Sequence, residues 1–288
     1  LSTSLSSGSL ANVLGPAYLG TLVPITGCIG FLFLCFFIYI LFMKFLKVIL
    51  SILIFISPAN ANTILYLIKI PNLEIHSDKS ANGIKYLKAI KPFDVGIRDN
   101  NVSCFNSSEE NIEKKMSLIE KNLNRYSSIF LKKINLKYIV LCENLTVSQI
   151  STAGVPNPKT KTLLIDIKFS EKNFERVLHH EVFHMINETH KKKFFYEKWK
   201  NFNNSEFKYA ECSTCSDRLG LSLLKENKGF VTEYSMSTPS EDMAEVFSFI
   251  MTNKEKIEDK ALMDPILNKK ILFIKKNILK IDKNFNFN

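Results

Sequence analysis

Apolar residues recur at alternating spacings of four and three through Ile112, Met116, Ile119, Leu123, Tyr126 and Phe130. This is the period of one helical face. Ser107-Ser108-Glu109-Glu110 stands before them in capping-box form, Ser followed three later by Glu. The pattern predicts one amphipathic helix running to about residue 133. At residues 136–141 the chain turns β-branched and aromatic, which reads as a strand. Gly154, Pro156 and Pro158 mark a loop before a second strand over residues 160–167. Ser170 then caps a helix whose apolar positions are Phe174, Val177, Leu178, Met185 and Ile186. Its end is placed near His190, where Lys191, Lys192 and Lys193 suit the negative end of the helix dipole. Residues 217–226 read as a short helix. Thr238-Pro239 reads as the cap and first turn of another, to about Asn253. One or two amphipathic helices finish the chain, broken at Asp264-Pro265. Residues 63–104 are weakly patterned short strands punctuated by Pro71 and Pro92. The expected class is α+β: a small mixed sheet packed on one long helix, followed by a mostly helical C-terminal part.

The front of the chain follows a different pattern. Lys44 and Lys47 are its only charges before residue 62. Met43-Lys44-Phe45-Leu46-Lys47, the apolar run 48–56 and Ser57-Pro58-Ala59-Asn60-Ala61 form the basic, apolar and small-residue regions of a secretory leader, cut after Ala61. Residues 1–42 contain a second apolar run, 21–42, long enough to span a bilayer. They are expected to be an upstream extension that is not native, with a membrane anchor as the competing reading. The expectation is therefore an exported protein of residues 62–288, secreted or periplasmic, forming one domain. It would be membrane-anchored only if residues 1–42 are native, and without stable membrane association once the leader is removed.

Cysteine usage fits export. Cys28 and Cys35 leave with the front end, and an even set remains: Cys104, Cys142, Cys212 and Cys215. A local Cys212–Cys215 bridge would leave Cys104 with Cys142, although spacing cannot fix the connectivity. A redox pair and half a zinc knuckle are the alternatives for C-x-x-C, and a structural bridge is preferred. The whole chain has 38 Lys+Arg against 28 Asp+Glu, net +10. The lysines are scattered and no base-reading motif accompanies them, so nucleic acid is not an expected partner.

The chemistry lies in His180-Glu181-Val182-Phe183-His184, an H-E-x-x-H motif within the helix after the second strand. Residues four apart sit one turn apart on one face, so both imidazoles can reach one metal while Glu181 stands beside them as a base. A zinc site needs a third protein ligand and an open position. His190 lacks the glycine bend of the extended motif and reads as surface. Glu241 and Glu245, four apart among Met243, Val246, Phe247 and Ile250, are better candidates. One would bind the metal and the other would accept a hydrogen bond from a ligand His. Ala244 between them permits a close helix contact.

H-E-x-x-H with a downstream Tyr and E-x-x-A-E resembles the gluzincin metallopeptidases of the lethal factor and Pro-Pro endopeptidase type. The resemblance spans roughly residues 135–253. It implies a zincin fold, Zn2+ on His180, His184 and Glu241, Glu245 as the outer partner, and Tyr234 steadying the oxyanion or leaving group. The 212–215 insertion departs from that pattern and leaves Glu245 and Asp242 as alternatives to Glu241. The implied activity is zinc-dependent endopeptidase hydrolysis with Glu181 as general base. The substrate is a peptide or protein bound as an extended strand, alongside residues 160–167 if they form the sheet edge. A zinc-binding or surface-binding module of the same fold without turnover is the alternative.

Overall fold

The computed structural model describes residues 73–96, 101–226 and 228–287, together with 39, 42 and 44. Apart from those three positions, the expected leader and the second apolar run lie outside them. Among the described residues no helix is long and apolar enough to cross a membrane. The elements below belong to one compact unit, Asn62–Asn288. Four strands come first: β1 (Leu73–Ser77), β2 (Lys85–Ala89), β3 (Phe93–Val95) and β4 (Val102–Phe105). Helices α1 (Glu109–Leu123) and α2 (Ser128–Lys133) follow. Then come β5 (Tyr138–Val147), β6 (Ile150–Ser151), β7 (Gly154–Asn157) and β8 (Thr162–Asp166). The remainder is helical: α3 (Glu171–Thr189), α4 (Tyr196–Lys200), α5 (Pro239–Thr252), α6 (Lys254–Met263) and α7 (Pro265–Ile281).

The ten-residue β5 organises the sheet. Its first half pairs in parallel with β2 and with β8, whereas its second half pairs antiparallel with β4 and β6. The sheet therefore curls, and it has two apolar faces, as a sheet covered on both sides must. Ile139, Leu141, Leu163 and Ile165 point into the main core beneath the helices. Tyr138, Val140, Cys142 and Leu164 alternate onto a smaller core with Cys104 and Phe93. A disulfide joins Cys104 on β4 to Cys142 on β5, and a second joins Cys212 to Cys215.

Several expectations need correction. β8 is not a sheet edge, because β5 pairs with one side of it and β7 with the other; the edge on that flank is β7. The Gly/Pro-punctuated segment that reads as loop forms this strand, and Pro156 is tolerated there because edge strands leave N–H groups unpaired. The predicted helix to residue 133 is broken, since the Ser127 hydroxyl accepts from the Phe130 N–H and starts α2 anew. Its first cap is Ser108, accepting from the Asn111 N–H, while Ser107 instead bonds the Leu141 carbonyl. Residues 217–226 form no helix and run as an irregular connection.

Candidate active site

Helix α3 exists because its apolar stripe has a core to enter. Phe174, Leu178, Val182, Met185 and Ile186 are all fully buried, each contributing about 1.5–3 kcal/mol relative to exposure. The register that buries this stripe leaves His180 and His184 on an adjoining side, towards α5. Helix α5 starts at Pro239 with the Thr238 hydroxyl accepting from the Glu241 N–H, so its first turn is pinned where Glu241 stands. Ala244, fully buried, lets the two helices close together.

Three ligand-type atoms converge at their meeting point. His180 Nε2 lies 2.9 Å from Glu241 Oε2, His184 Nε2 lies 3.2 Å from the same oxygen, and the two imidazole nitrogens are 3.1 Å apart. A tetrahedral zinc, about 2.0–2.1 Å from nitrogen and oxygen ligands, spaces its donors roughly 3.3 Å apart. The triad fits such an ion in both donor chemistry and spacing. Of the groups among the described residues that could hold a metal, this is the one with three donors close enough.

The carboxylate one turn along α5 orients His180. Glu245 Oε1 accepts from His180 Nδ1 at 2.8 Å and from Arg176 at 2.5 Å, and its Oε2 accepts from the Thr232 hydroxyl at 2.7 Å. On the other ligand, Ser240 Oγ is 3.3 Å from His184 Nδ1. Burial alone would depress the basicity of His180, but Glu241 and Glu245 on its two nitrogens outweigh it and raise the pKa to about 10. Burial notwithstanding, the neighbouring His184 charge and the hydrogen bonds with both imidazoles hold Glu241 below the usual carboxylate range, and the His180 hydrogen bond holds Glu245 below it. Asp242 faces away from the triad. It is fully buried and accepts from Trp199 (2.7 Å), Tyr209 (2.6 Å) and Lys270 (2.6 Å), an anchor for α5 and not a ligand.

A cleft of about 610 Å3 opens beside the triad, with His180, Glu181, Tyr234 and Glu245 among its walls. Glu181 is buried, and burial raises its pKa above the ordinary carboxylate value. Gly154 at the start of β7 abuts it; a Cβ there would come within 2.6 Å of Glu181 Cγ. Tyr234 lies at a tilt with its ring 5.9 Å from the His180 ring. Burial and the nearby carboxylates keep its phenol protonated. The bridged Cys212–Cys215 loop contributes Ser213 and Thr214 to the cleft wall. His190 lies outside, 2.9 Å from the Lys133 carbonyl.

Sequence reasoning missed Arg176, Thr232, Ser240 and Gly154. Arg176 alone carried a signal, as a charge one turn before His180 on the same helical side. The other three depend on loops and strand placement that no periodicity reveals.

The family described as "Putative zinc-binding metallo-peptidase" matches residues 115–280, more than half of the chain and inclusive of both ligand-bearing helices. No curated protein matches this chain. A crystal structure from Bacteroides caccae under the same description is 18% identical, over 65% of this chain and 76% of that one, with a TM-score of 0.41. That likeness is too distant to carry an argument. On the family match, with α3 and α5 both inside it, the chain belongs to this zinc-binding metallo-peptidase family.

Proposed function

We propose that the protein is an exported zinc-dependent endopeptidase of the gluzincin type, with His180, His184 and Glu241 holding the metal. The observation that carries this reading is the convergence of those three donors beside a cleft that also contains Glu181 and Tyr234. When bound, zinc supplies the Lewis acidity that acidifies water and polarises the scissile carbonyl. Glu181 takes the proton of the attacking water and later delivers it to the departing amine; its raised basicity suits a group that must hold that proton between the two steps. The Tyr234 hydroxyl, kept protonated, donates to the developing oxyanion. Glu245, fixed by Arg176 and Thr232, holds the His180 ring with Nε2 turned to the metal position. The substrate lies extended along the edge of β7 that faces away from β8, next to Glu181. The two disulfides accord with export.

The test is cleavage of a diverse peptide library by the purified full chain. Hydrolysis should disappear with a chelator and return with zinc. Glu181→Gln should keep stoichiometric zinc yet lose at least about a hundredfold in rate. Full activity in that variant rejects Glu181 as the base. Zinc content with no cleavage of any peptide would leave a binding module in place of an enzyme.

A further inference from the structure

The fold gathers lysines that look scattered along the chain. Lys192, Lys193 and Lys198 from the segment around α4 meet Lys276 and Lys280 from α7 around one cavity of about 300 Å3. Among the described residues no carboxylate lies within ion-pair distance of any of the five. The three nearest acids in sequence are already engaged, Glu188 by Lys191 and Glu197 by Lys200, each at 2.9 Å, and Asp282 by Lys133 at 3.6 Å. Lys280 reaches Asn277 Oδ1 at 3.4 Å and Lys198 lies 5.7 Å from the Phe273 ring centroid, but neither contact neutralises charge, and five like charges around one hollow repel one another. An anion seated between them would relieve that repulsion.

The surroundings say what kind of anion. Phe195 is 58% exposed and Tyr196 40% exposed, directly following the lysine run. On α7, Leu272 is 58% exposed and shares its helical side with Lys276, Leu279 and Lys280, at successive spacings of four, three and one. Exposed aromatic and aliphatic side chains thus alternate with lysines that have no carboxylate partner among the described residues, and arginine is absent from this surface. Lysine with interfacial Phe, Tyr and Leu suits an anionic bilayer surface, where charge draws the protein in and apolar tips enter the headgroup boundary. No base-reading motif accompanies these lysines, which argues against a nucleic-acid surface. The surface shares no residue with the cleft.

We infer that Lys192, Lys193, Lys198, Lys276 and Lys280, with Phe195 and Leu272, form a docking surface for anionic phospholipid, the cavity receiving a headgroup phosphate. It runs against the expectation of no stable membrane association once the leader is removed, and it does not depend on the hydrolytic reading.

The test uses the full chain with phosphatidylcholine vesicles, with and without phosphatidylglycerol. Because residues 21–42 are apolar enough to enter lipid unaided, the decisive quantity is dependence on charge. Partition should be at least roughly tenfold stronger to the phosphatidylglycerol vesicles, and added salt should weaken it. Replacing the five lysines with Gln should remove that preference, with an unchanged thermal midpoint. Phe195→Ser with Leu272→Ser should lower partition while leaving the salt dependence. Equal partition to both vesicle types overturns the inference, as does a five-Gln variant that retains the preference. Tighter binding to a short DNA duplex than to the anionic vesicles at the same salt also overturns it, in favour of nucleic acid.

Discussion

At the scale of single residues, the three donors that could hold a metal are oriented by neighbours outside the triad. Arg176 shows this best: its guanidinium neutralises Glu245, which in turn aims His180. Arg176→Gln should weaken zinc binding by about 10–100-fold with the fold intact, as replacing an outer partner typically does. Competition against a chromophoric chelator measures this, and unchanged affinity would leave orientation to Thr232 alone. His179, next to a ligand in sequence, has a different part. It is fully buried, with Nδ1 2.6 Å from the Tyr126 hydroxyl and Nε2 3.0 Å from the Asn122 amide oxygen. Burial, with a smaller effect from Arg125, lowers its pKa to about 3. In the unfolded chain it takes up a proton near pH 6.5. Between those values the unfolded state binds the extra proton, so stability is complete above about pH 6.5 and declines as pH falls towards 3. The steepest contribution is about 1.4 kcal/mol per pH unit. Denaturant unfolding at about pH 7 and about pH 5 should give a smaller pH dependence for His179→Gln than for the wild type. Equal dependence would show that this imidazole is not the group responsible. H-E-x-x-H is legible in sequence because its members are neighbours in one helix. Arg176–Glu245 is not, since the partners are 69 positions apart.

At the scale of elements, two helices and one strand end make the site. Thr238 caps the helix that carries Glu241 and Glu245, and Thr238→Ala should cost about 1 kcal/mol by thermal or denaturant unfolding. Gly154 matters for what it lacks. A methyl group there would meet Glu181 Cγ and Cδ at 2.6 and 2.8 Å and the Leu164 carbonyl at 3.1 Å. Gly154→Ala should therefore displace the Glu181 carboxylate, lowering kcat by roughly tenfold or more while zinc content stays stoichiometric. Unchanged kcat would show that strand and side chain separate freely. α3 and α5 were legible from period and capping residues, with ends within a residue or two. β7 was not, because its pairing with β8 is tertiary and its Gly and Pro imitate a loop. The interruption between α1 and α2 was hidden because the apolar spacing continues across it to Phe130, which is buried in α2 while Ser127 restarts the helix.

At the scale of the whole molecule, the two disulfides differ in what they constrain. Cys104–Cys142 closes 38 residues and crosses from β4 to β5, whereas Cys212–Cys215 closes three. Loop-closure entropy assigns roughly 4 kcal/mol to the first and under about 2 kcal/mol to the second. Replacing Cys104 and Cys142 with Ala should lower unfolding stability by about 2–4 kcal/mol, and replacing Cys212 and Cys215 by less. The reverse order would contradict this assignment. The amino-acid sequence by itself determined the α+β class, the paired histidines on one helical face, the acidic pair on another and an even set of cysteines. Each of these depends on spacing within one segment, where backbone geometry fixes which side chains share a side. Tertiary structure alone decided that Glu241 and not Asp242 meets the histidines, that β7 is the free edge, and that five distant lysines surround one hollow. Those outcomes depend on how buried apolar faces bring remote segments together, and no local period records that.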